Sequence, residues 1–62
     1  MKEKFEKAMM VPESQFPYWA VFGLRKNGKY VAVCRNVLHD DAVEVALDVS
    51  NHVCHGAMKE VA

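Results

Sequence analysis

Hydrophobic and polar positions alternate most regularly between Tyr18 and Val37, on both sides of an Asn27-Gly28 pair. Alternating β-branched and aromatic residues are typical of strands, and Asn-Gly between two such runs is the strongest short-range signal for a hairpin. The sequence therefore predicts an antiparallel β-hairpin over about residues 18–37, closed by a two-residue type I′ turn at Asn27-Gly28.

The predicted turn also fixes which side chains share a face of the hairpin. A two-residue loop pairs Leu24 with Val31 and Phe22 with Val33, and successive side chains then point to opposite faces. One face, which we expect to be the core, holds Tyr18, Ala20, Phe22, Leu24, Val31, Val33 and Val37. The other is mixed but not hydrophilic and holds Trp19, Val21, Gly23, Arg25, Tyr30, Ala32, Cys34 and Asn36.

Helical spacing appears on both sides of the hairpin. Phe5, Ala8 and Met9 lie at i, i+3 and i+4 among charged residues, which predicts a short helix over residues 2–10 that ends before Pro12.

A second apolar stripe begins at Ala42, directly after Asp40 and Asp41. Aspartate is a good N-cap and suits the positive end of a helix, so the sequence predicts an amphipathic helix over about residues 41–60. The residues after Gly56 leave two alternatives open, a continued helix or a short closing strand.

These elements define an α+β fold in one small domain, residues 1–62, with the order α-β-β-α. We expect the long helix to pack on the hairpin face that carries Phe22 and Leu24. The first helix would either complete that layer or cover part of the opposite face.

Composition narrows the classes of function. Eight basic and eight acidic residues give a formal net charge of zero, whereas proteins that bind nucleic acid normally carry a basic excess. The sequence has no apolar run of membrane-spanning length, and we expect no secretory leader. Two cysteines do not make a disulfide framework, so we expect a cytoplasmic protein without a membrane partner.

Candidate chemistry is sparse. Cys34, His52 and His55 are the residue types that bind zinc, but the helical pattern turns the histidines to solvent and no Cys-x-x-Cys pair is present. A thiol or acid–base site needs a pocket and an orienting third group, which a chain of this length can scarcely build. We therefore expect no enzyme activity, no cofactor and no metal.

The hairpin and the following helix resemble two known kinds of protein. Residues 27–32 read Asn-Gly-Lys-Tyr-Val-Ala at the turn, and residues 40–46 read Asp-Asp-Ala-Val-Glu-Val-Ala at the start of the helix. This arrangement resembles the small β-β-α proteins with which bacteriophages inhibit host enzymes, and it is similar to the hairpin and helix of HicB-type antitoxins. The first resemblance implies an inhibitor of a host protein; neither transfers a site residue, and the further strand and DNA-binding tail of HicB-type proteins are not evident.

The mixed hairpin face suggests a contact surface, because aromatic residues beside arginine are typical of interface hot spots. The functional hypothesis is a small non-catalytic protein-interaction module, an inhibitor that occludes a host or cellular protein through this face or by strand addition at a hairpin edge. The alternatives are a homodimer or oligomer module and then a nucleic-acid-binding accessory protein. The predicted partner-binding residues are Trp19, Val21, Arg25, Tyr30 and Arg35.

Overall fold

A four-stranded sheet is the centre of the fold within residues 4–61, the part of the chain that the computed structural model describes. Its strand order is β3-β2-β1-β4; β2 pairs antiparallel with β1 and β3, and β4 pairs parallel with β1. No helix in this range is long and apolar enough to cross a membrane. The predicted α+β class is confirmed, and the elements in chain order are β1 (Lys7–Pro12), β2 (Trp19–Leu24), β3 (Tyr30–Val37), α1 (His39–Val49), β4 (Val53–His55) and α2 (Met58–Val61).

The predicted N-terminal helix over residues 2–10 is wrong, because Lys7–Pro12 forms β1; residues 2 and 3 lie outside the described range. Ala8, Met9, Met10 and Val11 are all buried. A short continuous apolar run is equally typical of a strand covered on both faces. β1 has a hydrogen-bonded neighbour on each side, and this pairing and burial outweigh the weak tendency of so short a segment to form a helix.

The predicted hairpin is confirmed, but its turn differs from the predicted one. The Gly28 N–H donates to the Arg25 carbonyl at 2.9 Å, and the Arg25 N–H donates to the Lys29 carbonyl at 2.9 Å. Only Gly28 of the central residues has a positive φ, 84°, so the loop is a type I turn followed by a glycine bulge rather than a type I′ turn. The register shifts by one residue, and Leu24 pairs with Tyr30 instead of Val31.

Irregularities further along β3 change the pairing twice more, opposite Val21 and Trp19. Asn36 has a φ of 58°, a left-handed conformation that asparagine tolerates better than most residues. As a result Val33, Cys34 and Val37 all pack on the same side as Val21, and the predicted division of β3 between two faces does not hold.

The long helix packs on the hairpin face opposite to the predicted one. Ala42, Ala46 and Val49 of α1 form a buried cluster with Val21 of β2 and with Met10 of β1. The predicted core face is buried as well, in a second cluster that contains Met9, Val11, Ala20 and Phe22 and is flanked by Tyr30, Cys54, Met58 and Val61. Both faces of the sheet therefore serve as core, which the alternation along a single hairpin could not reveal.

The predicted helix over about residues 41–60 is too long. α1 ends at Val49, and Ser50 adopts an extended conformation in which its Oγ accepts from the His52 N–H at 3.1 Å. Residues 53–55 then pair with β1 as β4, and a separate single-turn helix, α2, follows Gly56. The short strand thus precedes the glycine rather than following it.

The helix start also differs from the predicted cap. α1 begins at His39, its N-cap is Leu38, and no side chain caps it. Asp40 and Asp41 lie in the first helical turn, where their charge still suits the helix dipole.

Candidate contact surfaces

The five predicted partner-binding residues do not share one surface. Val21 is 0% exposed beneath α1, and Trp19 is half-buried on the same side. Tyr30 packs with the cluster on the opposite face. Arg25 is exposed at the hairpin turn, and Arg35 is engaged by an acidic side chain.

An ion pair joins the β1–β2 loop to the irregular part of β3. The Arg35 guanidinium donates from Nη2 to Glu13 Oε1 at 2.8 Å and from Nε to Oε2 at 3.0 Å, and the Asn36 N–H also donates to Oε2 at 3.2 Å. The Glu13 side chain is 5% exposed and that of Arg35 is 52% exposed. These bonds to Arg35 hold the pKa of the Glu13 carboxyl below its ordinary value. The pair ties the β1–β2 loop to β3.

Exposed apolar side chains gather at the same end of the sheet. Phe16, at the tip of the loop that joins β1 to β2, is 96% exposed, and Tyr18 and Leu38 are also exposed. The loop is ordered by a bond from the Glu13 N–H to the Tyr18 carbonyl at 2.9 Å and by one from the Tyr18 N–H to the Gln15 carbonyl at 3.0 Å. We call Phe16, Tyr18 and Leu38 the aromatic end.

The residues considered for a metal do not form a site. Cys34 packs on the α1 side of the sheet, His52 lies between α1 and β4, and His55 ends β4. Burial raises the pKa of the Cys34 thiol, which disfavours the thiolate that metals bind. No group of three or more potential ligands occurs among residues 4–61.

His55 instead joins an aromatic cluster. Its ring lies 6.1 Å from that of His39 with the planes only 14° apart, and the ring of Trp19 stands nearly perpendicular to both, at 5.0 Å from His39 and 5.9 Å from His55. Lone pairs of near-parallel rings do not converge on one point, so this arrangement fits packing of the β4 end against the start of α1 rather than chelation.

An apolar groove of about 380 Å³ lies between α1 and β3. Phe5 contributes to its lining, and the Phe5 ring occupies the space over Gly23 that a side chain there would fill. The Phe5 N–H donates to the Val49 carbonyl at 2.8 Å, which ties this residue to the end of α1. The remaining lining residues are Val31, Ala32 and Val33 of β3 and Val45, Asp48 and Val49 of α1.

β3 borders the groove and is an outer strand of the sheet. Backbone groups in an antiparallel pair alternate between the neighbouring strand and the open side. The bond between Arg25 and Lys29 sets this alternation, and it turns the N–H and C=O groups of Tyr30 and Ala32 to the open side. The pairing of β3 with β2 is regular from Tyr30 to Ala32, next to Val31 and Ala32 of the groove lining, and the first irregularity falls at Val33.

A stripe of acidic residues extends along α1 from one lining residue of the groove. Asp41, Glu44 and Asp48 are spaced i, i+3 and i+7, which places them on one stripe of α1, and Asp48 itself lines the groove. Lys4 Nζ donates to the Asp48 carbonyl at 2.8 Å and brings a positive charge to that end. Asp41 and Glu44 form no ion pair with any residue in the range 4–61. We call these three residues the acidic ridge.

Sequence reasoning missed the groove because neither wall has a motif. Val45 lies at the border of the apolar stripe of α1. Whether it is buried depends on the position of β3 beside it. Leu47 of the same helix is apolar but 57% exposed. The only available signal was the proximity of Val45 and Val49 to the acidic positions on one side of the helix.

Comparison with known proteins gives no further guide: no family model, no curated protein and no solved structure matches this chain.

Proposed function

We propose that this chain is a cytoplasmic, non-catalytic protein-interaction module that binds an extended segment of a partner protein along β3. The observation that carries the proposal is the regular open edge of β3 beside an apolar groove. Occlusion of the bound partner, the mode implied by the resemblance to phage inhibitors, is the effect that we propose.

The proposed contact is strand addition, in which backbone hydrogen bonds supply affinity and alternate side chains supply selectivity. The outward N–H and C=O groups of Tyr30 and Ala32 offer four hydrogen bonds, each contributing about 0.5–1.5 kcal/mol. Side chains of the added strand would cover Val31, Val33 and Val45 at about 25 cal/mol per Å² of apolar surface.

Association opposes these gains with a cost of about 4–15 kcal/mol. An isolated peptide should therefore bind weakly, and a folded partner that presents a preformed strand should bind more tightly.

The aromatic end is the competing surface. Exposed apolar residues also mark contact sites, but none of these three side chains lines the groove beside β3. Phe16→Ala therefore serves as the matched control, because it removes the most exposed apolar side chain and leaves the groove intact.

The test is a titration of ¹⁵N-labelled protein with a capped heptapeptide in which threonine alternates with methionine. We expect chemical-shift changes confined to β3, α1 and Phe5, unchanged in Phe16→Ala. Ala32→Pro should abolish them, because proline removes an outward N–H without removing a bond to β2.

A second measurement covers the possibility that Ala32→Pro misfolds. In any strand pairing only every other peptide amide faces the neighbouring strand. N-methylation of one alternate set should abolish binding and N-methylation of the other should preserve it. Equal binding of both methylated peptides, or loss of binding in Phe16→Ala alone, would contradict the proposal.

A further inference from the structure

We infer that the groove selects a basic extended segment, one in which lysine or arginine occupies the alternate positions that face α1. This inference rests on the proposed function and adds the chemistry of the partner. It follows from the acidic ridge, which begins at the groove with Asp48 and continues along α1 through Glu44 and Asp41.

The groove offers different surroundings at two heights above the sheet. Next to the sheet, Val31, Val33 and Val45 provide apolar walls. Farther out, the stripe of Asp41, Glu44 and Asp48 carries carboxylates. A lysine or arginine matches both, because its aliphatic stem covers apolar surface while its charged head extends to the solvent boundary.

The charges of Asp41 and Glu44 are the ones available to a partner. Both residues are exposed, and neither has an ion-pair partner within residues 4–61. Lys4 approaches the other end of the ridge at Asp48. The preference for a basic residue should therefore be strongest at peptide positions near the first two turns of α1.

The same charges argue against a second copy of this chain as the occupant. Antiparallel pairing of β3 with its own copy requires a two-fold axis perpendicular to the sheet. That axis places both α1 helices on one face with their acidic ridges toward each other, and like charges in such an arrangement repel. A foreign segment of opposite charge fits the site where a second copy does not.

The test compares three capped heptapeptides in which threonine alternates with lysine, glutamate or methionine, each titrated into the ¹⁵N-labelled protein. At low salt we expect the lysine peptide to bind at least about tenfold more tightly than the glutamate peptide. The ratio should fall as salt is raised, because these exposed charges are screened.

Charge-neutral variants assign the effect to the ridge. The double variant Asp41→Asn, Glu44→Gln should bring the lysine-to-glutamate ratio to within about threefold. Glu60→Gln is the control, since it removes a carboxylate from α2, which packs on the opposite face of the sheet; it should leave the ratio near its original value.

The outcomes separate this inference from the proposed function. Equal binding of the lysine and glutamate peptides, with shifts along β3, would overturn the charge selectivity and leave strand addition standing. Binding of none of the three peptides would overturn both. A dimer detected by light scattering and dissolved by Ala32→Pro would show that the occupant is a second copy and would overturn the inference.

Discussion

Gly23→Ala tests the packing beneath the groove. Gly23 lies on β2 opposite Val31, and a Cβ there would come within 2.6 Å of Phe5 Cδ1. This atom lies in the part of the ring nearest the Phe5 backbone, where a small side-chain rotation cannot relieve the contact. The whole ring therefore has to leave its position.

Two effects of opposite sign decide how much Gly23→Ala changes the free energy of unfolding. Alanine in a strand stabilises the fold by about 0.5–1 kcal/mol relative to glycine, because it reduces the conformational entropy of the unfolded chain. Displacing an aromatic side chain from its site costs about 1.5–3 kcal/mol, and the half-buried ring of Phe5 belongs in the lower part of that range. The expected net change is a loss of about 1 kcal/mol in the free energy of unfolding, which lowers Tm by about 4–8 °C in a domain of this size.

The assay is urea unfolding followed by the fluorescence of Trp19, the single tryptophan. A double-mutant cycle isolates the contact: in a Phe5→Ala background, Gly23→Ala should lose its penalty and become neutral or stabilising. The reasoning is refuted if Gly23→Ala destabilises both backgrounds equally or stabilises the wild type.

Three further predictions concern the turn, the ion pair and a thiol. Gly28→Ala should lower the free energy of unfolding in urea by about 1–2 kcal/mol, because a side chain is disfavoured at a φ of 84° although no atom lies close enough to clash with it. Gly28→Asn should cost less. The depressed pKa of Glu13 means that its bonds to Arg35 stabilise the fold above the ordinary carboxyl pKa, and this stability is lost as pH falls through the lower folded value. Glu13→Gln should therefore unfold at lower urea than wild type at pH 7 but at equal urea in strong acid. Because burial raises the pKa of Cys34, Cys34 in Cys54→Ser should react with a disulfide reagent at pH 8 more slowly than the free amino acid does, and equal rates would contradict the burial.

The hairpin and the start of the second helix could be predicted because their signals are local. The Asn27-Gly28 pair marks a turn whatever surrounds it, and the stripe that begins at Ala42 has the helical period. The turn type was beyond reach, since Asn-Gly fits both a two-residue loop and a three-residue loop, and one added residue shifts the register.

β1 and β4 could not be predicted because their stability comes from pairing with other strands: β1 pairs with β2 and β4, and β4 pairs with β1. Residues 8–11 are apolar at every position, and Val53, Cys54 and His55 are too few to show any period. Because β1 lies inside the sheet, apolar side chains on both faces of the sheet must be buried, and α1 packs on the face that carries Val21.

The candidate site was accessible only in part. Strand addition at a hairpin edge was among the predicted mechanisms, and the structure identifies β3 as the long outer strand. Of the predicted contact residues, Val21 lies on the face that α1 covers and is buried, whereas Tyr30 packs on the opposite face. The groove exists because α1 leaves part of β3 uncovered. The position of α1 on the sheet depends on the packing of several strands and cannot be read from one segment of the sequence.

Hydrogen exchange at two amides tests the central proposal most directly. The N–H groups of Tyr30 and Ala32 face the open side of β3, so they should exchange rapidly in the free protein, whereas the Phe5 N–H, bonded to Val49, should be slower. Saturation with the threonine–methionine peptide should slow exchange at Tyr30 and Ala32 by a factor that rises with peptide concentration and should leave Phe5 nearly unchanged. Rapid exchange at both amides in the presence of bound peptide would contradict strand addition at β3.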